Sequence, residues 1–254
     1  MYLIKNIFFI SILLFSNTVL SQTTLEQAEH LFEKRSEIVE AGKAKSENID
    51  KAIELFKQTD QEPEKTIGLL KSYEYKASWT NISQEEKKEL YTKAIELAKN
   101  KLNEYPENGA ITYWHAANYA RWADLIDITQ AAKEGVLDEI KSLSEKAIEL
   151  DEKYNQAGAL RLLGGLHLEA PNIPLIITWP SNDEALRLLR KAYEIAPQHP
   201  ANVYLYGKAL HVLDKDRKAK KVFKDLIKRE ERENYFLVDQ KYILKGKEYF
   251  EENF

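Results

Sequence analysis

The chain has 254 residues, 44% of them hydrophobic and 31% charged, with a formal net charge of −4. These proportions exclude a disordered tail and allow one sizeable core, and the mild acidity offers no basic excess for nucleic acid. Nine glycines and seven prolines in a background rich in Ala, Leu, Glu and Lys, the strong helix formers, point to an all-α protein.

The first segment, MYLIKNIFFISILLFSNTVLSQ, sets Lys5 ahead of an apolar run from Ile7 to Phe15, with Val19 and the small residue Ser21 behind it. That order reads as a cleaved secretion signal over Met1–Ser21, leaving residues 22–254 as one domain in the periplasm or outside the cell. The apolar run falls short of the roughly 20 residues a spanning helix needs, so no stable membrane anchor is expected. Losing Lys5 takes 37 basic residues to 36 against 41 acidic ones, a net charge of −5. No cysteine is present. Packing alone must therefore stabilise the fold in a compartment where disulfides persist, and the signal cannot end in a lipidated cysteine. Asn81-Ile82-Ser83 matches a glycosylation acceptor.

From there the apolar spacing is helical. LEQAEHLFEKRSEIVEAGK and NIDKAIELFKQ predict an opening helical pair, and TIGLLKSYEYKASWT a further helix. YTKAIELAKNKLNEYP then shows a pattern of two small residues and a closing proline in Ala94, Ala98 and Pro106. IKSLSEKAIELDEKY repeats it around Ala147 with Glu152 in the proline position, DEALRLLRKAYEIAPQHP carries Ala185, Leu189, Ala192 and Pro197, and RKAKKVFKDLI has Ala219 and Phe223. The small residues let two helix axes approach, the large one fills the gap, and proline ends the helix because it has no amide hydrogen. Three partner helices precede the last three: AITYWHAANYARWADL, AGALRLLGGLHLEAP and ANVYLYGKALHVL. They hold Trp114, Leu160 and Val203 at a large position and Asn118, Gly164 and Gly207 at a close-packing one. The repeated unit is that of a tetratricopeptide-type helical-hairpin solenoid. YFLVDQKYILKGKEYFEENF, with Phe236, Ile243, Leu244 and Phe250, predicts a C-terminal helix that caps its open end.

Two hairpins are longer than the minimal unit. About ten residues are added in RWADLIDITQAAKEGVLDEI and about nine in EAPNIPLIITWPSND, both on one edge of the solenoid. The first can extend its helices. The second cannot remain helical past Pro171, Pro174 and Pro180. It is apolar through Ile173, Leu175, Ile176, Ile177 and Trp179, so it either plugs a gap in the solenoid or forms a lid or ligand wall.

The block TYWHAANYARWADL, followed by KAIELDEKYNQAGALRLLGGLHLEAPNIP and DEALRLLRKAYEIAPQHPANVYLYGKAL, resembles the T-component (TatT-like) family of tripartite ATP-independent periplasmic (TRAP) transporters. The similarity runs from about Ile53 to Ile227. It is carried by Tyr113-Trp114, Ala117-Asn118, Trp122, the segment from Gly158 to Gly164, Ala170-Pro171 with Pro174, and Pro197, Pro200 and Asn202. The resemblance implies a periplasmic helical protein without catalytic activity, assembling with a solute-binding protein and holding a cleft that accepts hydrophobic ligands. The chain departs from the family in having no cysteine to lipidate and in the apolar LIITW after the second proline.

A superhelix of this type presents its first helices on the concave side. The expected lining is His115, Tyr119 and Trp122 from one repeat, Arg161 and Leu168 from the next, and Tyr204, Lys208 and His211 from the last, with Trp179 from the apolar insertion. Aromatics among cations suit a peptide or an organic acid. Arg161 is either a two-pronged grip on a carboxylate or a salt bridge to a neighbouring repeat, while Trp114 and Asn118 read as packing residues. No nucleophile elbow, phosphate loop or zinc motif is present, and the five histidines stand apart. Asp124 and Asp127 read as a solvated or capping pair. Neither a cofactor nor a metal is expected. The reading is a non-enzymatic scaffold for a protein partner. The alternative is a carrier of a small amphipathic acid enclosed by Arg161, Trp122 and Trp179; homo-oligomerisation stays open.

Overall fold

The computed structural model describes residues 24–173 and 175–254, with only the backbone of residues 128 and 129. The expected signal, Met1–Ser21, lies outside them, as does Pro174. Among the described residues, helix α1 (residues 24–33) is followed by a 3₁₀ turn, Lys34–Ser36, and a small hairpin of β1 (Val39–Glu40) and β2 (Lys43–Ala44). The sequence favoured one helix through this stretch. Instead Ala41 and Gly42, both at positive φ (48° and 73°), turn the chain back on itself so that Val39 faces Ala44.

Next come α2 (Glu47–Gln58), α3 (Glu64–Trp79) and α4 (Gln84–Glu104). Helix α4 starts on a capping box in which Ser83 and Glu86 satisfy each other's backbone amides. They are followed by α5 (Gly109–Ala123), α6 (Ile128–Lys133), α7 (Val136–Asp151), α8 (Tyr154–Glu169) and α9 (Asn182–Ile195). The chain closes with α10 (Pro200–Val212), α11 (Asp216–Leu226) and α12 (Phe236–Asn253). Four hairpins, α3/α4, α5/α7, α8/α9 and α10/α11, stack so that α3, α5, α8 and α10 touch in succession. This is the all-α helical-hairpin solenoid expected from the repeat. No helix among the described residues is long and apolar enough to cross a membrane.

The repeat residues sit where their sizes require. Ala94, Ala98, Ala147, Ala185, Ala192 and Ala219 are buried, and Leu189 and Phe223 fill the gaps between hairpin partners. Asn118, fully buried, donates from Nδ2 to the carbonyls of Leu70 (3.2 Å) and Trp114 (2.8 Å), tying α5 to α3. At Gly164 a Cβ would stand 2.6 Å from Leu189 Cγ, so only glycine permits this approach of α8 to α9.

The first insertion does not extend its neighbours. Helix α5 stops at Ala123, Asp127 Oδ1 accepts from the Gln130 amide to start the short α6, and Gly135 at φ 73° breaks the chain before α7. The second insertion folds back over it. Ile177 is buried in one cluster with Ala131, Ala132, Leu137 and Ile140, against which Ile173 and Trp179 also pack. Helix α12 does more than cap. Its Tyr249 and Phe250, with Phe254 just beyond, pack on the last hairpin, while Leu237 at its start is buried with Ile49, Phe56, Leu69 and Tyr75 of the first module. The helix thus bridges the two ends of the stack.

Replacing Gly164 by alanine is expected to destabilise the protein by about 1–3 kcal/mol through overpacking against Leu189. One residue on, a Cβ at Gly165 meets only Leu205 Cδ1 at 3.8 Å. Gly165→Ala should therefore raise stability by about 0.5–1 kcal/mol, and urea denaturation of both variants measures the contrast.

Candidate functional site

Inside the stack lies a cleft of about 720 Å³. Its walls come from the inner helices and α12: Trp114 and Arg121 of α5, Arg161 and Gly165 of α8, Tyr204 of α10, and Lys241 and Tyr242 of α12. Arg35, from the 3₁₀ turn after α1, closes one part of it.

A strained turn sets the position of Arg161. Asn155, Gln156 and Ala157 occupy the left-handed region one after another, with φ of 48°, 56° and 63°. Side chains rarely adopt this geometry in succession, and each such residue costs roughly 1–2 kcal/mol. The turn persists because its groups are held from outside. Asn155 Nδ2 donates to the Tyr113 hydroxyl (2.9 Å), Arg232 Nη1 donates to Gln156 Oε1 (2.8 Å), and the Gln156 carbonyl accepts from both Arg161 Nη1 (3.1 Å) and Asn202 Nδ2 (3.2 Å). Asn202 Oδ1 in turn accepts from Arg161 Nη1 at 2.8 Å. Arg161 is therefore fixed by neutral acceptors, with no carboxylate within ion-pair distance among the described residues.

Burial and charge shape the titration of the neighbouring groups. Burial, reinforced by the Arg161 and Arg232 guanidinium groups, pushes the His199 imidazole down to about 2, and its Nδ1 accepts from the Ala201 amide to start α10. Lys241 is pushed down to about 8 by burial and by Arg121 and Lys245 nearby, and its ammonium lies 5.2 Å from the Trp79 ring centre. Arg35 is only 9% exposed, donates to the carbonyls of Phe32 and Asn234, and has a buried Nε with no acceptor.

Of the residues expected to line the concave side, the structure brings Arg161 and Tyr204 to the cleft. Lys208 stands at its edge, bonded to Glu169 at 2.9 Å. His211 lies at the far end of α10 against Phe254 and Tyr249, with Nδ1 2.9 Å from Asp216. On α5 the inner register is not the expected one: Trp114, Ala117, Arg121 and Asp124 line the cleft in place of His115, Tyr119 and Trp122. Tyr119 and Trp122 pack outward against the two insertions, and His115 is buried with both ring nitrogens unbonded, its ring parallel to that of Tyr119. Leu168 packs into the α9/α10 core, and Trp179 braces the insertion by donating from Nε1 to Asp138 at 2.6 Å, its ring edge-on to His167. A cleft closed by Trp122 and Trp179 is therefore not formed. Arg35 and Lys241 were missed from the sequence. The helical stripe Val238, Lys241, Tyr242 and Lys245 on α12 was the available signal, hidden by the assumption that this helix only caps.

No family model and no curated protein matches this chain. Among solved structures it is similar to a thermophilic tetratricopeptide-repeat protein of Thermus thermophilus, at 16% identity and a TM-score of 0.58, over 88% of this chain and 99% of that one. The likeness is one of fold, and it places the chain among tetratricopeptide-type solenoids.

The buried histidines make stability depend on pH. Burial holds His115 down at about 4, below its ordinary 6.5, so the unfolded chain binds more protons and stability falls as pH drops below 6.5. The loss is about 1.4 kcal/mol per pH unit until about pH 4. Because neither ring nitrogen is bonded, His115→Leu should reduce the stability lost between pH 7 and pH 5 by about 2 kcal/mol, as read from urea denaturation at the two pH values.

Proposed function

We propose that the protein is a non-enzymatic binding component that docks onto a protein partner in the cell envelope, and that the tip of the second insertion is its contact. One observation carries this reading: an apolar tip projects into solvent from a hydrogen-bonded base. Ile173 and Ile177 exchange backbone hydrogen bonds of 2.9 and 2.8 Å, and the turn between them presents Leu175, 99% exposed and at φ 69°, beside the exposed Ile176. Beneath the tip, Ile177 is buried and Trp179 is tied to Asp138. A braced apolar tip of this kind suits a hot spot entering a pocket on another protein. The inner face, which solenoids of this type use for extended partners, is here crossed by α12, and this also favours the outer tip as the contact.

Support for a more specific role comes from the resemblance to the T-component family, whose implied partner is a periplasmic solute-binding protein. We extend that role to this chain together with export by a cleaved Met1–Ser21 signal. Among the described residues no group of three or more metal-ligating side chains converges.

The test is chemical crosslinking and co-purification from the source cells with the intact chain and with a Leu175→Asp, Ile176→Asp double variant. The variant should retain its circular dichroism and lose partner capture by at least tenfold, the scale of a hot-spot loss. Undiminished capture would remove the tip from the interface. Mass spectrometry of the captured protein decides the transporter reading: a solute-binding protein supports it, and any other protein counts against it.

A further inference from the structure

The cleft carries more positive charge than its own carboxylates neutralise. Three carboxylates line it, Glu74, Asp124 and Glu169, and all are engaged: Arg121 reaches Glu74 at 3.3 Å and Asp124 at 3.6 Å, and Lys208 reaches Glu169 at 2.9 Å. Lys71, on the same wall, is paired with Glu29 at 2.5 Å. Arg35, Arg161, Lys241 and Lys245 also line the cavity, and none has a carboxylate within ion-pair distance among the described residues. Two of these are costly to leave so. Arg35 is nine-tenths buried with an unbonded Nε, and Lys241 is desolvated beside two other cations.

Arg161 has the geometry of a grip. Its Nη1 is used by Gln156 and Asn202, and no hydrogen bond among the described residues takes Nη2 or Nε, the edge that meets two oxygens of an acid side by side. The adjoining wall is apolar and aromatic: Trp114, Leu162, Gly165, Tyr204 and Tyr242. A volume of about 720 Å³ falls within the range of small-molecule sites, roughly 300–1,000 Å³.

We propose that this cleft binds a small organic anion with an apolar or aromatic body, its acid group held by the Arg161 fork and its body lying against Trp114, Gly165 and Tyr204. The surplus cations draw the anion in and the aromatic walls select its body. Gly165 leaves the space that the body fills. This site is distinct from the Leu175–Ile176 tip, so either proposal can fail without the other.

The experiment titrates the purified protein with two fluorescent probes that share one ring system. One is 8-anilinonaphthalene-1-sulfonate, which carries an acid group, and the other is N-phenyl-1-naphthylamine, which carries none. The sulfonate should bind at least tenfold tighter. Arg161→Gln should weaken the sulfonate by about tenfold or more and leave the neutral probe unchanged, whereas Gly165→Phe, which fills the cleft, should weaken both. Arg161→Lys keeps the charge without the fork and should weaken the sulfonate less than Arg161→Gln; it decides the matter if loss of the Asn202 contact prevents Arg161→Gln from folding. Displacement of the sulfonate by decanoate or by phenyl phosphate supports the proposal and tells which acid is preferred. Equal affinity for the two probes, sulfonate binding unchanged in the folded Arg161 variants or in Gly165→Phe, or displacement by neither acid would each overturn it.

Discussion

The fully buried side chain of Asn202 is the contact on which the inner structure depends. Its Nδ2 reaches the carbonyls of Gln156, Ala192 and Ala196 at 3.0–3.2 Å while its Oδ1 accepts from Arg161. One amide therefore satisfies the end of α9, fixes the start of α10, supports the left-handed turn at the start of α8 and orients the guanidinium of the cleft. Buried polar groups are costly unless bonded, so these four features are mutually dependent rather than separately stable. Arg232 extends the same network. It is bidentate to the fully buried Asp239 at 2.7 and 2.8 Å and also holds Gln156, joining α12 to the turn.

The hairpins were legible in the sequence because their determinants are local. Small residues at fixed spacing, a large residue between them and a closing proline or capping side chain specify a helix and its close-packed face without reference to distant partners. The inner register of α5 was not legible for the opposite reason. Tyr113, Ala116 and Ile111 are buried, Trp114 and Tyr119 are half-buried on different sides, and the helix touches α3, α4, α7 and α8. A helix that is apolar nearly all round does not reveal which stripe faces inward. A shift of one residue rotates a side chain by roughly 100°, which separates Trp114 in the cleft from His115 in the core.

The candidate site was legible in part for similar reasons. Arg161 stands out as the one arginine or lysine of α8, set in the apolar run from Ala157 to Leu166, and Tyr204 lies on the innermost face of α10, so both could be placed from the repeat alone. Arg35 and Lys241 come from segments outside the repeated unit, and only the tertiary fold brings them to the same cavity. The left-handed turn was also invisible. Of Asn155, Gln156 and Ala157, only asparagine has any leaning towards that conformation, and it is imposed by Tyr113, Arg161, Asn202 and Arg232.

In an ordinary solenoid each repeat depends only on its neighbours, so the ends fray and the array behaves as a one-dimensional chain. Leu237 alters this. It contributes to a core otherwise built from residues near the start of the described chain, and the rest of its helix lies on the last hairpin. The first module thus lacks part of its interior until a segment some two hundred residues downstream has been synthesised and folded back. The two ends of the stack are therefore coupled directly through α12 as well as through the repeats between them, so the array is closed by a contact that an open solenoid lacks.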